Sequence, residues 1–165
     1  MTKPMIENVS KADVRWGTHM DAGANSMLIR IQDPATEFGQ IGKADMFTEV
    51  HEFEFLDAED TCGFPDETKI SDEQAAQIVA LLQRAIDNHM NVVVHCHAGI
   101  CRSGAVVEVA TMMGFDATDR YRQPNLRVKH KMMKALGWTY DNDEKPYEIT
   151  RNGGVFPADF DPWSK

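Results

Sequence analysis

The sequence is short of positive charge. Seventeen lysines and arginines stand against twenty-six aspartates and glutamates, for a net charge of −9. A surface of that sign repels nucleic acid and anionic lipid at long range, so neither is expected as a partner. Cysteine is scarce as well. Cys62, Cys96 and Cys101 are the full set, and an odd number without a secretory signal does not read as a disulfide framework, which turns attention to a reactive thiol. Long hydrophobic runs are missing: nothing approaches the ~20 apolar residues that span a bilayer. The opening Met1-Thr2-Lys3-Pro4-Met5-Ile6-Glu7 holds no apolar signal-peptide core, so a cytoplasmic protein without a membrane partner is expected. No repeat or low-complexity tract stands out.

What is present suits one domain. The 165 residues, 42% hydrophobic and 26% charged, can enclose a single core over residues 1–165. Asn25–Ile31 reads as a strand ending before Asp33-Pro34, and the alternation of Phe53 and Phe55 with Glu52 and Glu54 reads as a strand with one buried face. Asp57-Ala58-Glu59-Asp60-Thr61 and Gly63-Phe64-Pro65-Asp66 have loop chemistry. Ser71 with Gln74 three residues on is a capping box, followed by an apolar stripe of Ala75, Ile78, Val79, Leu82 and Ile86. Asn91–His95 is a β-branched run typical of a strand buried on both faces. Helices are expected over Ser103–Met113, stopping at Gly114, and after Pro124-Asn125, stopping at Gly137. Strand, helix, strand, helix is the grammar of an α/β fold: a central, mostly parallel sheet with helices on both faces.

Between the buried strand and the next helix lies His95-Cys96-His97-Ala98-Gly99-Ile100-Cys101-Arg102-Ser103-Gly104. Anion sites of α/β proteins form where strands end and helices begin. The backbone N–H groups of His97, Ala98, Gly99, Ile100 and Cys101 can wrap inward as an anion nest, with Gly99 free to take a positive φ. The helix start and the bidentate guanidinium of Arg102 add positive charge at the same point. These groups also favour the thiolate of Cys96, an ionised sulfur aimed at a bound phosphoryl group. Ser103 is placed to donate to that sulfur and improve it as a leaving group. A packed, inert Cys96 leaves the adjacent arginine unexplained, and metal binding by His95, Cys96, His97 and Cys101 lacks the paired spacing such sites use, so no metal is expected.

The run from Val92 to Gly104 resembles the signature of protein tyrosine phosphatases, closest to the compact dual-specificity group: His-Cys, two residues, Gly, two residues, Arg, Ser. The resemblance covers about residues 49–136, with Pro124-Asn125 before the last helix also similar; the first forty residues add nothing to it. It implies a protein tyrosine phosphatase-like fold, a phosphorylated protein substrate, no cofactor, and a cysteinyl-phosphate on Cys96 with Arg102 as the phosphate clamp. It also implies an aspartate as general acid on a separate loop. Asp57 is the first choice because it follows the alternating Phe53–Leu56 strand, with Asp60 next and Asp66 third. Lipid phosphatases of the superfamily carry lysines between Cys and Arg, and their absence here weighs against phosphoinositides; a small single domain without a tyrosine-recognition segment implies a shallow pocket that admits phosphoserine and phosphothreonine as well as phosphotyrosine.

Blander readings apply elsewhere. His51 reads as packing, the paired methionines 112–113 and 132–133 as core, and Arg120 and Arg122 as either substrate contacts or a solvated loop. The spacing Cys-x4-Cys-Arg-Ser is also similar to low-molecular-weight tyrosine phosphatases and arsenate reductases, with Asp161-Pro162 like their acid motif, but their loop follows the first strand. A second alternative is a catalytically silent phosphate-binding module. The oligomeric state is not legible.

Overall fold

The computed structural model describes residues 3–138. Five strands form one sheet: β1 (Met5–Ser10), β2 (Ser26–Gln32), β3 (Glu49–Glu54), β4 (Asn91–Cys96) and β5 (Asp116–Ala117). They lie in the order β3-β2-β4-β1-β5, with every pairing parallel. Four helices connect them: α1 (Lys11–Trp16), α2 (Asp72–Asp87), α3 (Arg102–Met113) and α4 (Leu126–Ala135). The α/β architecture expected from the sequence is therefore present. Among the described residues no helix is long and apolar enough to cross a membrane.

The helices divide unequally between the two faces. One face carries α2, α3 and α4 over a core that includes Ile29, Phe55, Ile78, Val94, Val106 and Met132. The other is closed by α1 and the loops around β2, over Val9, Val14, Leu28, Phe47 and Val93. Helix α2 starts where the capping box places it, with Ser71 Oγ accepting from Gln74 N at 3.0 Å and Gln74 Oε1 accepting from Ser71 N at 3.0 Å. Its buried face is Ala75, Ile78, Val79, Leu82 and Ala85. Helix α4 begins at Asn125, whose Oδ1 accepts from Val128 N at 3.0 Å.

Strand β4 is central, buried from Val92 through Cys96, as a β-branched run with apolar layers on both faces should be. Its neighbours β2 and β1 come from opposite directions of chain winding, so its C-terminal end opens at the point where strand order reverses. Cleft sites of parallel α/β sheets occur there. In register, Ser10 at the end of β1 pairs with Cys96 and Arg30 of β2 with His95. The first strand and its helix escaped the sequence reading, although β1 lies in the middle of the sheet. Glu7 and Asn8 are both buried in it, which breaks the apolar pattern that marks β4.

Candidate active site

The segment His97–Cys101 leaves β4, curls, and enters α3 at Arg102. Four of its five carbonyls point away from the centre of the loop and are bound by surrounding protein. His97 O accepts from Lys11 N at 3.1 Å, Ile100 O from Gln123 N at 3.1 Å, and Cys101 O from Asn125 N at 3.0 Å. Gly99 O accepts from Asn8 Nδ2 at 2.8 Å. In a trans peptide the carbonyl and the following N–H point in opposite directions. Anchoring these four carbonyls outward therefore turns the N–H groups of Ala98, Ile100, Cys101 and Arg102 inward. The Gly99 N–H donates to Cys96 Sγ at 3.3 Å. A ring of inward N–H groups ending in a helix N-terminus is an anion cradle.

Gly99 makes this curl possible. Its φ is +75°, and a Cβ there would overlap the Val9 carbonyl and the Ser10 nitrogen. The loop lies directly on the end of β1, so only glycine fits.

Cys96 is buried, with its sulfur 3.2 Å from Ser103 Oγ. Arg102 is buried as well. Its Nη1 donates to Asp33 Oδ1 at 2.7 Å and to Phe55 O at 2.8 Å. Its Nε, also buried, has no hydrogen-bond partner among the described residues. The guanidinium is thus held by one nitrogen, which leaves the Nε edge for the two-point grip on an oxyanion that arginine geometry suits. Asp33 was read from the sequence only as a turn residue after β2; nothing in Asp33-Pro34 distinguishes an arginine brace from an ordinary strand end.

The acidic loop is tied to α4. Glu59 accepts from the Leu126 and Arg127 backbone nitrogens at 2.9 and 3.0 Å, satisfying N–H groups that the helix start leaves open. Asp60 pairs with Arg127 Nη1 at 2.6 Å, and Asp66 lies 3.3 Å from Lys69 Nζ. Asp57 instead faces the cradle. It accepts from Asn125 Nδ2 at 2.7 Å and lies close enough to Cys101 to act on its thiol. That thiol is pushed up to about 11, first by burial and then by the charge of Asp57, against a lowering pull from Arg102. Cys101 is therefore protonated at neutral pH. Of the three candidate acids, Asp57 is the one held against the loop that bears Cys96.

Other residues fall away from the centre. Arg120 is engaged by Asp13 at 3.0 Å and Glu7 at 3.5 Å, and Arg122 by Glu108 at 2.8 Å, which gives both structural work rather than free positive charge. His51 bonds Glu49 at 2.8 Å on edge strand β3. His97 and Ala98 are exposed at the rim of the loop, while Ile100 is half-buried. Cys62 is a free thiol in the acidic loop. Asp161-Pro162 lies outside the described residues.

Residues 56–114 match a family model, Tc-R-P, described as "Polymorphic toxin system, DSP-PTPase phosphatase". The match spans Asp57, α2, β4, the cradle and α3, and it bears out the resemblance to dual-specificity phosphatases over that stretch. No curated protein matches the chain.

Proposed function

We propose that the chain hydrolyses phosphate monoesters of protein side chains through a cysteinyl-phosphate intermediate on Cys96. The observation that carries this reading is the set of outward-anchored carbonyls, because it converts the loop after Cys96 into a cradle of N–H donors around one sulfur. In the first step the Cys96 thiolate attacks phosphorus and the ester oxygen leaves. Inward N–H groups and Arg102 stabilise the charge on the equatorial oxygens. Asp57, protonated, gives its proton to the leaving oxygen, a contribution of roughly 10²–10⁴ in rate. In the second step water displaces the sulfur, Asp57 as carboxylate takes the water proton, and Ser103 donates to the departing thiolate.

The substrate class is phosphotyrosine together with phosphoserine and phosphothreonine. The dual-specificity character of the matched family supports it, as does the lack of lysines within the loop. The low-molecular-weight alternative is disfavoured because Cys96 follows the fourth strand of the chain rather than the first. A silent binding module is disfavoured because nucleophile, clamp and Asp57 stand together. Turnover of an aryl phosphate and of phosphopeptides carrying each of the three residues tests the reading. Release of phosphate from all three is expected, and a chain that binds phosphate without turnover overturns the enzymatic reading in favour of the silent module.

A further inference from the structure

Strand β2 carries a charged residue where an apolar one belongs. Met27, Leu28, Ile29 and Ile31 are fully buried, and Arg30 in their midst is only 3% exposed. Burying a guanidinium is costly unless its donors are met. Register places Arg30 in a row across four parallel strands, Val9, His95, Arg30 and Glu52. Its Nε donates to His95 Nε2 at 2.9 Å. Its Nη2 donates to the carbonyls of Phe38 and Gly39, and Nη1 lies 3.7 Å from half-exposed Glu52.

The contact with His95 has only one chemical sense. Arginine has donors and no acceptor, so His95 Nε2 must present its lone pair, and the ring proton of neutral His95 must sit on Nδ1. His95 Nδ1 lies 3.2 Å from Cys96 O, so the N–H donates there. We propose that Arg30 is a positioning residue for the nucleophile: it locks His95 in the Nδ1–H tautomer, and that proton anchors the Cys96 carbonyl. The proposal rests on the reading of Cys96 as the attacking group.

The consequence continues the pattern of the loop. With Cys96 O held by His95, the following His97 N–H points the opposite way. The first peptide of the cradle is thus fixed by the same device as the later ones, with a side chain in place of a backbone donor. The ring is neutral at working pH. Burial pushes His95 down to about 4, the bond to the Cys96 carbonyl opposes this, and the charges of Arg30, Lys11 and Arg102 reinforce it. These three cations reach the ring from β2, α1 and the start of α3, while β1 offers only Val9 to the row. A lysine, histidine or apolar residue at position 30 cannot reproduce both the donor to His95 and the ties to the Phe38 and Gly39 carbonyls.

The test begins with the wild-type chain labelled with ¹⁵N, observed by long-range ¹H–¹⁵N correlation of its imidazoles from pH 5.5 to 8. His95 is assigned by the signal absent from His95→Asn. The expected spectrum shows Nδ1 protonated and Nε2 bare across the range; an Nε2–H tautomer, or a ring that titrates there, overturns the proposal. Arg30→Leu, checked for folding by circular dichroism, should lose that tautomer and lower kcat roughly ten- to thirtyfold with little change in KM, the mark of lost positioning. Arg30→Lys, which keeps a donor and a charge, should recover part of kcat and of the tautomer. Unchanged kcat in folded Arg30→Leu refutes the role. Should that variant not fold, the wild-type tautomer and the lysine variant decide. A wild type without phosphatase activity but with the Nδ1–H tautomer would fail the proposed function while leaving the Arg30–His95 link standing; active wild type with the other tautomer would fail this proposal alone.

Discussion

Arg102 Nη1 and Asp33 Oδ1 stand 2.7 Å apart, joining the first residue of α3 to the loop that follows β2. The arginine is buried and the aspartate half-exposed, so the carboxylate is still hydrated while it braces the cation. Together with the Phe55 carbonyl, 2.8 Å from the same nitrogen, it fixes the plane in which the guanidinium presents its Nε edge.

Asp33→Ala should therefore weaken the phosphate grip without removing it. One charge-assisted hydrogen bond to a buried arginine is lost and the Phe55 bond remains. The expected outcome is a roughly tenfold drop in kcat/KM on an aryl phosphate, about 1.4 kcal/mol of transition-state stabilisation. Arg102→Lys should fall much further, because a point charge cannot supply the two-point contact. Equal losses in the two variants would mean that Asp33 is essential to the arginine rather than its brace.

Asp57→Asn should separate substrates by their leaving groups. For a phosphopeptide the alkoxide or phenoxide needs a proton, and turnover is expected to fall by about 10²-fold or more. For an ester with a very good leaving group the loss should be small. Asp60→Asn should instead disturb the ion pair with Arg127 and leave the leaving-group dependence intact. The reverse pattern would move the acid to Asp60.

Gly99→Ala tests the cradle itself. At φ +75° an added methyl group meets the Val9 carbonyl and the Ser10 nitrogen, and both are backbone atoms of a central strand that cannot swing aside. The expected variant keeps its far-ultraviolet circular dichroism and loses phosphate binding and turnover together. A variant with full activity would mean that the curl tolerates a different backbone path.

Stability should fall on the acid side in two windows. His95 has an ordinary value of 6.5 and a folded value of about 4, so the unfolded chain binds more protons between those limits. Its contribution is intact above 6.5 and is lost as pH falls to 4, by roughly 3 kcal/mol in all. Glu49, held down to about 2 by its hydrogen bonds from Arg84 and then His51, adds a further loss only below 4.5. Urea unfolding midpoints of wild type and His95→Asn, measured from pH 7 to 4, should converge as the pH drops. Parallel curves would contradict the assignment.

The legibility of this chain followed its chemistry. Helix α2 was readable from Ser71, Gln74 and a regular stripe because capping and periodicity are local. The strand-to-helix loop is marked in the sequence because Cys96, Gly99, Arg102 and Ser103 each answer a separate requirement of the phosphate binding proposed for it. Strand β1 was not, since its Glu7 and Asn8 are buried by distant partners: Glu7 accepts from Met20 N and Thr118 Oγ1, and Asn8 donates to the Gly99 and Tyr121 carbonyls. Arg30 did leave a signal, a charge inside an apolar run, but its meaning depends on the His95 register that only the sheet supplies. Asp33 left none, because its partner lies far along the chain.

The central claim is a covalent bond from Cys96 to phosphorus, and it is tested most directly by trapping that bond. Wild type and Ser103→Ala, mixed with an aryl phosphate and quenched in acid within the first turnover, are digested and mapped by mass spectrometry. One phosphoryl group should appear on the peptide containing Cys96. It should accumulate to a higher level in Ser103→Ala, whose second step lacks the hydroxyl 3.2 Å from the sulfur, and be absent from Cys96→Ser, which should not turn over. Turnover in wild type with no phosphoryl group on Cys96, or sustained turnover in pure Cys96→Ser, would contradict the covalent mechanism.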